Sequence, residues 1–112
     1  MNELSIFNYG QNEVRTVQVD GEPWFVAGDV CSILDITNTT RATDGLDDDE
    51  KGLHTVNTPG GNQQVSIVNE PGLYSLILRS RKPEAKAFKR WITHEVLPTI
   101  RKTGGYMTDS LL

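Results

Sequence analysis

Apolar and polar residues alternate along most of the first 26 positions, and this period of two predicts antiparallel strands. Residues 4–9 and 14–19 each place apolar side chains at about every second position. Asp20 and Gly21 lie between the second run and a third apolar run at 23–26. Such a pair is a strong signal for a two-residue hairpin turn. We therefore expect a three-stranded meander at the start of the chain.

The apolar spacing becomes helical after residue 26. Residues 27–35 predict a short helix with Asp29 in its first turn, where a carboxylate is favourable for the helix dipole. Asn38 is a good N-cap for a second short helix, and Gly45 is a typical helix end. Two short helices joined so closely resemble a helix-turn-helix unit.

A second group of strands follows an acidic loop at residues 46–50, which we interpret as a solvated turn. Residues 53–57 and 63–68 predict a hairpin around a turn at 59–62. Asn69 then predicts the N-cap of a helix that ends near Arg79.

The last predicted helix is the longest and the most amphipathic. A corner at residues 80–82 leads into it, and Pro83 suits its first turn because the N–H that proline lacks has no partner there. Its apolar positions recur at i, i+3 and i+4 and form one stripe, with Trp91 beside it. The stripe consists of Ala85, Phe88, Ile92 and Val96.

Pro98 interrupts this pattern. It has no N–H and its ring clashes with the carbonyl of His94, so we expect the helix to kink or restart there. Leu97 and Ile100 lie off the stripe, which also indicates a change of phase. The glycines at 104–105 predict the end of the helix.

These elements predict an α+β fold. It has antiparallel strands in two groups, an N-terminal meander and a later hairpin. Two short helices lie between the groups, and two C-terminal helices follow, the last one long and amphipathic. We expect residues 1–106 to form one domain, and residues 107–112 to be a linker or a ragged terminus.

Composition narrows the class of protein. The chain has 112 residues, no apolar run of membrane-spanning length and no basic or apolar leader, so we expect a cytoplasmic domain. Cys31 is the single cysteine, and together with His54 and His94 it falls short of a zinc-ligand pattern. We expect no metal, no cofactor and no membrane partner.

Charge is distributed unevenly along the chain. Residues 1–78 carry three basic and twelve acidic side chains, a net charge of −9, whereas residues 79–102 carry eight basic and two acidic ones, a net charge of +6. A basic helix on an acidic body is typical of a nucleic-acid or acidic-protein contact. The alternative is a solvated helix face, which the low overall isoelectric point of about 5.0 favours when charge is taken alone.

The sequence also resembles the N-terminal domain of the BRO family, found in prophage antirepressor-type proteins and insect-virus BRO proteins. The longest block of resemblance reads SRKPEAKAFKRW at residues 80–91. The other blocks are residues 7–8, 14–17, 23–26, 29–31, 69–74, 95–98 and 100–106. The resemblance implies a DNA-binding module that a second, variable domain usually follows. We expect that domain to be absent here, as in a shortened chain or a short homologue.

Two surfaces are candidates for DNA contact. One is the basic face of the last helix and its corner, whose side chains suit phosphates: Arg81, Lys82, Lys86, Lys89 and Arg90. The other combines the second short helix with the later hairpin, whose side chains suit base edges: Asn38, Thr39, Thr40, Arg41, Asn62, Gln63 and Gln64. Helix capping and turn formation are the simpler explanation for Asn38 and the threonines. The partner is duplex or single-stranded DNA.

A second hypothesis is a protein-interaction module without DNA contact. Such a module captures a repressor or assembles into a homo-oligomer, with Trp24, Trp91 and Tyr106 as candidate anchors. Aromatic residues beside apolar strands and helix stripes are more often core residues. An enzyme is not expected, because the chain has no phosphate-binding glycine loop, no nucleophile elbow and no paired histidine and carboxylate at a telling spacing.

Overall fold

Five strands form one antiparallel sheet in the computed structural model, which describes residues 4–103. The order across the sheet is β1-β2-β3-β5-β4. The predicted meander and the predicted hairpin are therefore parts of a single sheet, joined where β3 pairs with β5. The strands are β1 (Leu4–Tyr9), β2 (Asn12–Val19), β3 (Glu22–Val26), β4 (Lys51–Thr58) and β5 (Gly61–Asn69).

Two short turns set the register of the strands. Asp20 and Gly21 both have positive φ, 53° and 81°, as a hairpin turn of type I′ requires. In the second hairpin Thr58 pairs with Gly61, so residues 59–60 alone make the turn. This turn is shorter than the four-residue turn that the sequence predicted, and both of its strands are correspondingly longer.

The helices pack on one face of the sheet around a single apolar core. Strands contribute Val14, Phe25 and Val68 to this core, all fully buried. The short helices are α1 (Ala27–Ile33) and α2 (Thr39–Asp44), followed by α3 (Glu70–Arg79). The long last helix has three parts, α4 (Ala85–Trp91), a π-helical turn (Ile92–Val96) and α5 (Leu97–Thr103). The predicted fold class is confirmed, and no helix within residues 4–103 is both long and apolar enough to cross a bilayer.

A smaller apolar cluster lies on the opposite face of the sheet. It consists of Val17, Val26 and Ile67, and Trp24 packs against it while remaining half-buried. The two faces follow from strand geometry, because successive side chains along a strand point to opposite sides.

The start of α1 is anchored to β2 by an ion pair that the sequence did not predict. Asp29 accepts hydrogen bonds from the backbone N–H and from the Nε and Nη2 atoms of Arg15, each at 2.9 Å. The hydrogen bonds to Asp29 raise the pKa of Arg15. Asp29 therefore does more than interact with the helix dipole.

The long helix keeps its apolar side on the sheet through Pro98 because of the π turn. Leu97 donates its N–H to the carbonyl of Ile92, five residues back. An uninterrupted α-helix would place Leu97 about 180° from Phe88, but a π turn takes one extra residue and sets the phase back by about 100°. Phe88, Ile92, Leu97 and Ile100 are accordingly all buried. The predicted interruption at Pro98 is thus a widened turn just before that residue. The predicted helix end at 104–105 lies outside the described residues.

Asn69 and Gly72 join the acidic loop to the start of α3. The Asn69 side chain accepts a hydrogen bond from Gly72 N–H at 3.0 Å, as predicted for an N-cap, and also donates one to the carbonyl of Asp49 at 2.8 Å. A Cβ atom on Gly72 would lie 2.6 Å from the carbonyl oxygen of Glu50 and 3.2 Å from Cβ of Val68. Only glycine allows this approach, since the nearest obstacle is backbone.

We expect Gly72→Ala to destabilise the domain by roughly 1–3 kcal/mol, because the added methyl group must displace the backbone at Glu50. Gly28→Ala is the matched control, since a Cβ on Gly28, an exposed residue of α1, would meet nothing within 4 Å. In a helix this control change should be neutral or slightly stabilising. Thermal unfolding of both variants checks the prediction, and equal melting temperatures would contradict it.

Candidate nucleic-acid interface

Three cations form an exposed face on α4. Lys86, Lys89 and Arg90 are all exposed, and they project away from Phe88, which is fully buried in the core. Their spacing of three and four residues places them side by side on the helix surface. We call these three residues the basic face. The structure therefore brings together three of the five basic residues that the sequence predicted as phosphate contacts.

The core side of α4 contacts one aromatic ring on the outer strand β1, that of Tyr9. The ring of Tyr9 lies 5.3 Å from that of Phe88 and 4.9 Å from that of Trp91. Trp91 is only half-buried, whereas Phe88 is enclosed. From the sequence we expect both side chains to be mostly buried. Trp91 is more exposed than this because it lies at the edge of the apolar stripe.

Lys89 also belongs to a small polar group between α3 and α4. Its Nζ atom lies 5.9 Å from the ring centroid of Tyr74, within the range of a cation–π contact. Burial, together with a hydrogen bond from the Tyr74 hydroxyl to Oε2 of Glu70 at 3.1 Å, raises the pKa of Tyr74 to about 12. The phenol is neutral at physiological pH, and Lys89 remains exposed beside its ring.

Side chains on the π turn supply donors to nearby carbonyls. The Thr93 hydroxyl donates to the carbonyls of Lys89 and Arg90 at 3.1 and 3.2 Å. Nδ1 of His94 lies 3.0 Å from both the Arg90 carbonyl and the Thr93 hydroxyl, and it donates to the carbonyl in the tautomer that carries the proton on Nδ1. His94 thus supports the backbone of the basic face.

The corner between α3 and α4 carries two other predicted contacts, and they differ. Arg81 is exposed, but Lys82 is half-buried and its Nζ atom donates to the carbonyl of Ile33 at 3.0 Å. Ser80 donates its hydroxyl to the next carbonyl, that of Leu34, at 2.8 Å. Both carbonyls lie at the C-terminal end of α1, where a cation also interacts favourably with the helix dipole. Lys82 therefore has a structural role that its position in the sequence did not reveal.

On α2 the simpler explanation of Asn38 is correct. Its side chain accepts a hydrogen bond from the backbone N–H of Arg41 at 3.0 Å and caps the helix. Thr40 and Arg41 are exposed, whereas Thr39 is half-buried beside the enclosed Cys31. Burial raises the pKa of the Cys31 thiol, so it is not a reactive thiolate.

The β4–β5 hairpin carries further polar side chains, and the pairing of its strands shows on which of its two faces each one lies. Gln64 pairs with Thr55 and Asn62 pairs with Asn57, so these four share one face of the β4–β5 ribbon. Gln63 pairs with Val56 and lies on the other face. Sequence reasoning named the three amides of β5 but missed Thr55 and Asn57, which the register of a two-residue turn would have identified.

The two candidate surfaces lie at opposite margins of the sheet. The basic face belongs to a helix that packs against Tyr9 on β1, whereas the last turn of α2 borders Lys51 and Leu53 on β4. β1 and β4 are the two outer strands, so four strand spacings of about 4.8 Å separate them by roughly 19 Å. They are separate surfaces and not one patch.

The acidic loop contains a group of carboxylates that are close enough to hold a cation. Ligand atoms of Asp47, Asp49 and Glu50 all lie within 4.8 Å of one another. Asp47 and Glu50, however, form a reciprocal capping box around the short 3-10 turn Asp48–Glu50, with Oε1 of Glu50 accepting from Asp47 N–H at 3.2 Å. Local hydrogen bonds explain why these carboxylates are close together.

Comparison with known proteins gives one family and several relatives. Residues 13–98 match the family described as the BRO family, N-terminal domain. An uncharacterized protein of Haemophilus influenzae is 45% identical over 109 residues, which cover 93% of this chain and 53% of that protein. The putative Bro-N domain-containing protein 019R of Invertebrate iridescent virus 3 is 30% identical over 135 residues, covering 89% of this chain and 33% of its own.

A further viral relative is similar in extent. The putative Bro-N domain-containing protein 201R of Invertebrate iridescent virus 6 is 29% identical over 126 residues, covering 94% of this chain and 30% of its own. The chain thus spans about half the length of the bacterial relative and about a third of the viral ones. No solved structure matches the chain significantly.

We expect Lys82→Met to destabilise the domain by about 0.5–1.5 kcal/mol, because it leaves the carbonyl of Ile33 without its donor while preserving the apolar stem of the side chain. Lys86→Met, an equivalent change on the exposed basic face, should have little effect on stability. Chemical denaturation of the two variants checks this. Equal losses would show that the contact with Ile33 contributes nothing.

Proposed function

The chain belongs to the BRO family through its N-terminal domain, and from this premise we propose that it is a DNA-binding module of a phage- or virus-type regulatory protein. The observation that carries the proposal is the basic face of α4. Lys86, Lys89 and Arg90 form an exposed row on a helix that the core holds firmly in place. Regularly spaced cations on a fixed helix are suited to the regularly spaced phosphates of DNA.

The rest of the chain makes this face the favoured phosphate contact. Residues 1–78 carry a net charge of −9 and repel a polyanion. DNA therefore approaches most favourably from the side of α4. Arg81, exposed at the corner before α4, extends the same positive region, whereas Lys82 is committed to α1.

A second candidate function is capture of a repressor protein, without DNA contact. The observation that favours it is the exposure of four large apolar side chains among the described residues, Leu4 and Ile6 on β1, Leu53 on β4 at 64% and Leu78 on α3 at 85%. Large exposed apolar groups gather at protein interfaces, but single ones are common on ordinary surfaces. We therefore rank this function below DNA binding.

Changing Lys86, Lys89 and Arg90 together to alanine tests the proposal. Each cation that neutralises a phosphate releases counterions and contributes nearly one unit to the slope of log affinity against log salt. The triple variant should bind all duplex sequences more weakly, and its slope should be flatter by roughly two to three units. Titration of duplex DNA at several salt concentrations measures both quantities.

A charge-preserving variant is the control, with Lys86 and Lys89 changed to arginine and Arg90 to lysine. It should keep the wild-type slope, because phosphates respond to charge more than to side-chain shape. If the triple alanine variant binds DNA with wild-type affinity, the basic face is only a solvated helix surface. If the wild-type chain binds no DNA at low salt, repressor capture becomes the leading function.

A further inference from the structure

The β4–β5 hairpin extends beyond the sheet as a two-stranded ribbon. β3 pairs with β5 only as far as Val26 opposite Ile67, because α1 begins at the next residue, Ala27. Residues 61–66 therefore pair with β4 alone among the described strands. From Leu53 to Thr58 this ribbon is about 17 Å long, at about 3.4 Å per residue.

The two faces of the ribbon have different characters. One carries Val56, which is only 5% exposed, and the half-buried Val65, which packs against the smaller apolar cluster. Toward the tip, the side chains of the opposite face are all polar and all exposed: Thr55, Asn57, Asn62 and Gln64. We call these four residues the amide face. One face of the ribbon is thus anchored to the protein, and the other is free.

The ribbon is also the one long part of the N-terminal body without an acidic residue. Residues 51–69 contain no Asp or Glu, although residues 1–78 contain twelve. The acidic loop ends at Glu50, five to seven residues along β4 from Thr55 and Asn57, which is a distance of about 17–24 Å. That distance exceeds the Debye length of about 10 Å at 0.1 M salt, so the loop does not keep DNA from the tip.

We propose that the amide face enters the major groove of duplex DNA and reads adenine. This inference rests on the proposed DNA binding and adds where the bases are read and which base is preferred. The major groove, about 12 Å wide, admits a two-stranded ribbon. Asn and Gln side chains bind the N6 and N7 atoms of adenine as a pair, and Thr contacts the methyl group of thymine.

The same geometry assigns base reading to the ribbon in preference to α2. Asn38 already caps α2 through its side-chain oxygen. The remaining exposed residues of that helix, Thr40 and Arg41, lie only a few positions before the acidic loop, where a backbone phosphate is repelled. The amide face lies farther along the chain from that loop. Asp44, at the end of α2, borders Leu53 and Ser66 at the base of this face. The tip of the ribbon, with Asn57 and Asn62, is therefore the part best placed to enter a groove.

Gln63 and Gln64 provide a matched pair for the test. They are adjacent, exposed and chemically identical, but Gln63 lies beside Val56 on the anchored face. The wild-type chain is first incubated with a pool of random duplexes at fixed salt, and we expect it to enrich an adenine-containing motif. Each adenine of the motif is then replaced by 7-deazaadenine, which removes the major-groove N7 acceptor and preserves base pairing.

At a contacted adenine this replacement should weaken wild-type binding by between about 5-fold and about 150-fold. For at least one contacted adenine, the variant Gln64→Ala or Asn62→Ala should bind the natural duplex and the 7-deazaadenine duplex with equal affinity. Gln63→Ala and Arg41→Ala should retain the full difference, and melting temperatures establish that every variant is folded.

The alternative outcomes separate the two proposals. Any of three results overturns the assignment of base reading to the ribbon. The wild-type chain tolerates 7-deazaadenine at every position, or Gln63→Ala and Gln64→Ala have equal effects. Alternatively, Arg41→Ala alone abolishes the difference in affinity between the natural and the modified duplex. A wild-type chain that binds duplexes but enriches no motif also overturns it, while DNA binding itself stands. A wild-type chain that binds no duplex at low salt overturns both proposals.

Discussion

The architecture depends on continuous burial of one side of the last helix in the apolar core. Phe88, Ile92, Leu97 and Ile100 are all buried, although a regular α-helix cannot place all four on one side. The π turn at Ile92–Val96 resolves this conflict by adding one residue to the helix just before Pro98. Without it, either Leu97 and Ile100 or the earlier stripe would face water.

Fixing one side of this helix also fixes what the other side presents. Phe88 is fully buried and its ring contacts those of Tyr9 on β1 and Trp91 on the same helix, so this side of α4 faces the core. Lys86, Lys89 and Arg90 are therefore presented on the outer side of the helix. Because their backbone is already ordered in a helix, these cations lose less conformational entropy on meeting a phosphate backbone than the same side chains on an unordered loop.

The connection from β3 into α1 leaves part of the β4–β5 hairpin unpaired with β3, at the margin of the sheet away from β1. The chain enters α1 directly after Val26, so residues 61–66 of β5 pair with β4 alone and the hairpin extends beyond β3. The ribbon is then held by Val56 and Val65 on one face and presents amides on the other. The fold thus separates a charged surface, which suits phosphates, from an uncharged polar one, which suits base edges.

Local patterns in the sequence determined most of the elements. Alternation predicted the strands, Asp20 and Gly21 predicted the first turn, and Asn38 and Asn69 predicted two helix caps that the structure confirms. Each of these signals acts within a few residues, where dihedral preferences and side-chain to backbone hydrogen bonds decide the conformation. The amphipathic stripe likewise predicted the long helix and its basic side, since helical spacing is a local property.

Contacts between residues far apart in the sequence were decided only by the tertiary structure. Lys82 belongs to a run of cations in the sequence, yet it caps α1 from 49 positions away. Asp29 is bound by Arg15, and Gly72 touches the backbone of Glu50, because packing brings separate elements together. The π turn has the same origin: Pro98 predicted an interruption, but burial of Leu97 and Ile100 decided its form. Pairing of β3 with β5 decided which hairpin side chains point into the protein and which are free for a partner, and no local rule contains that information.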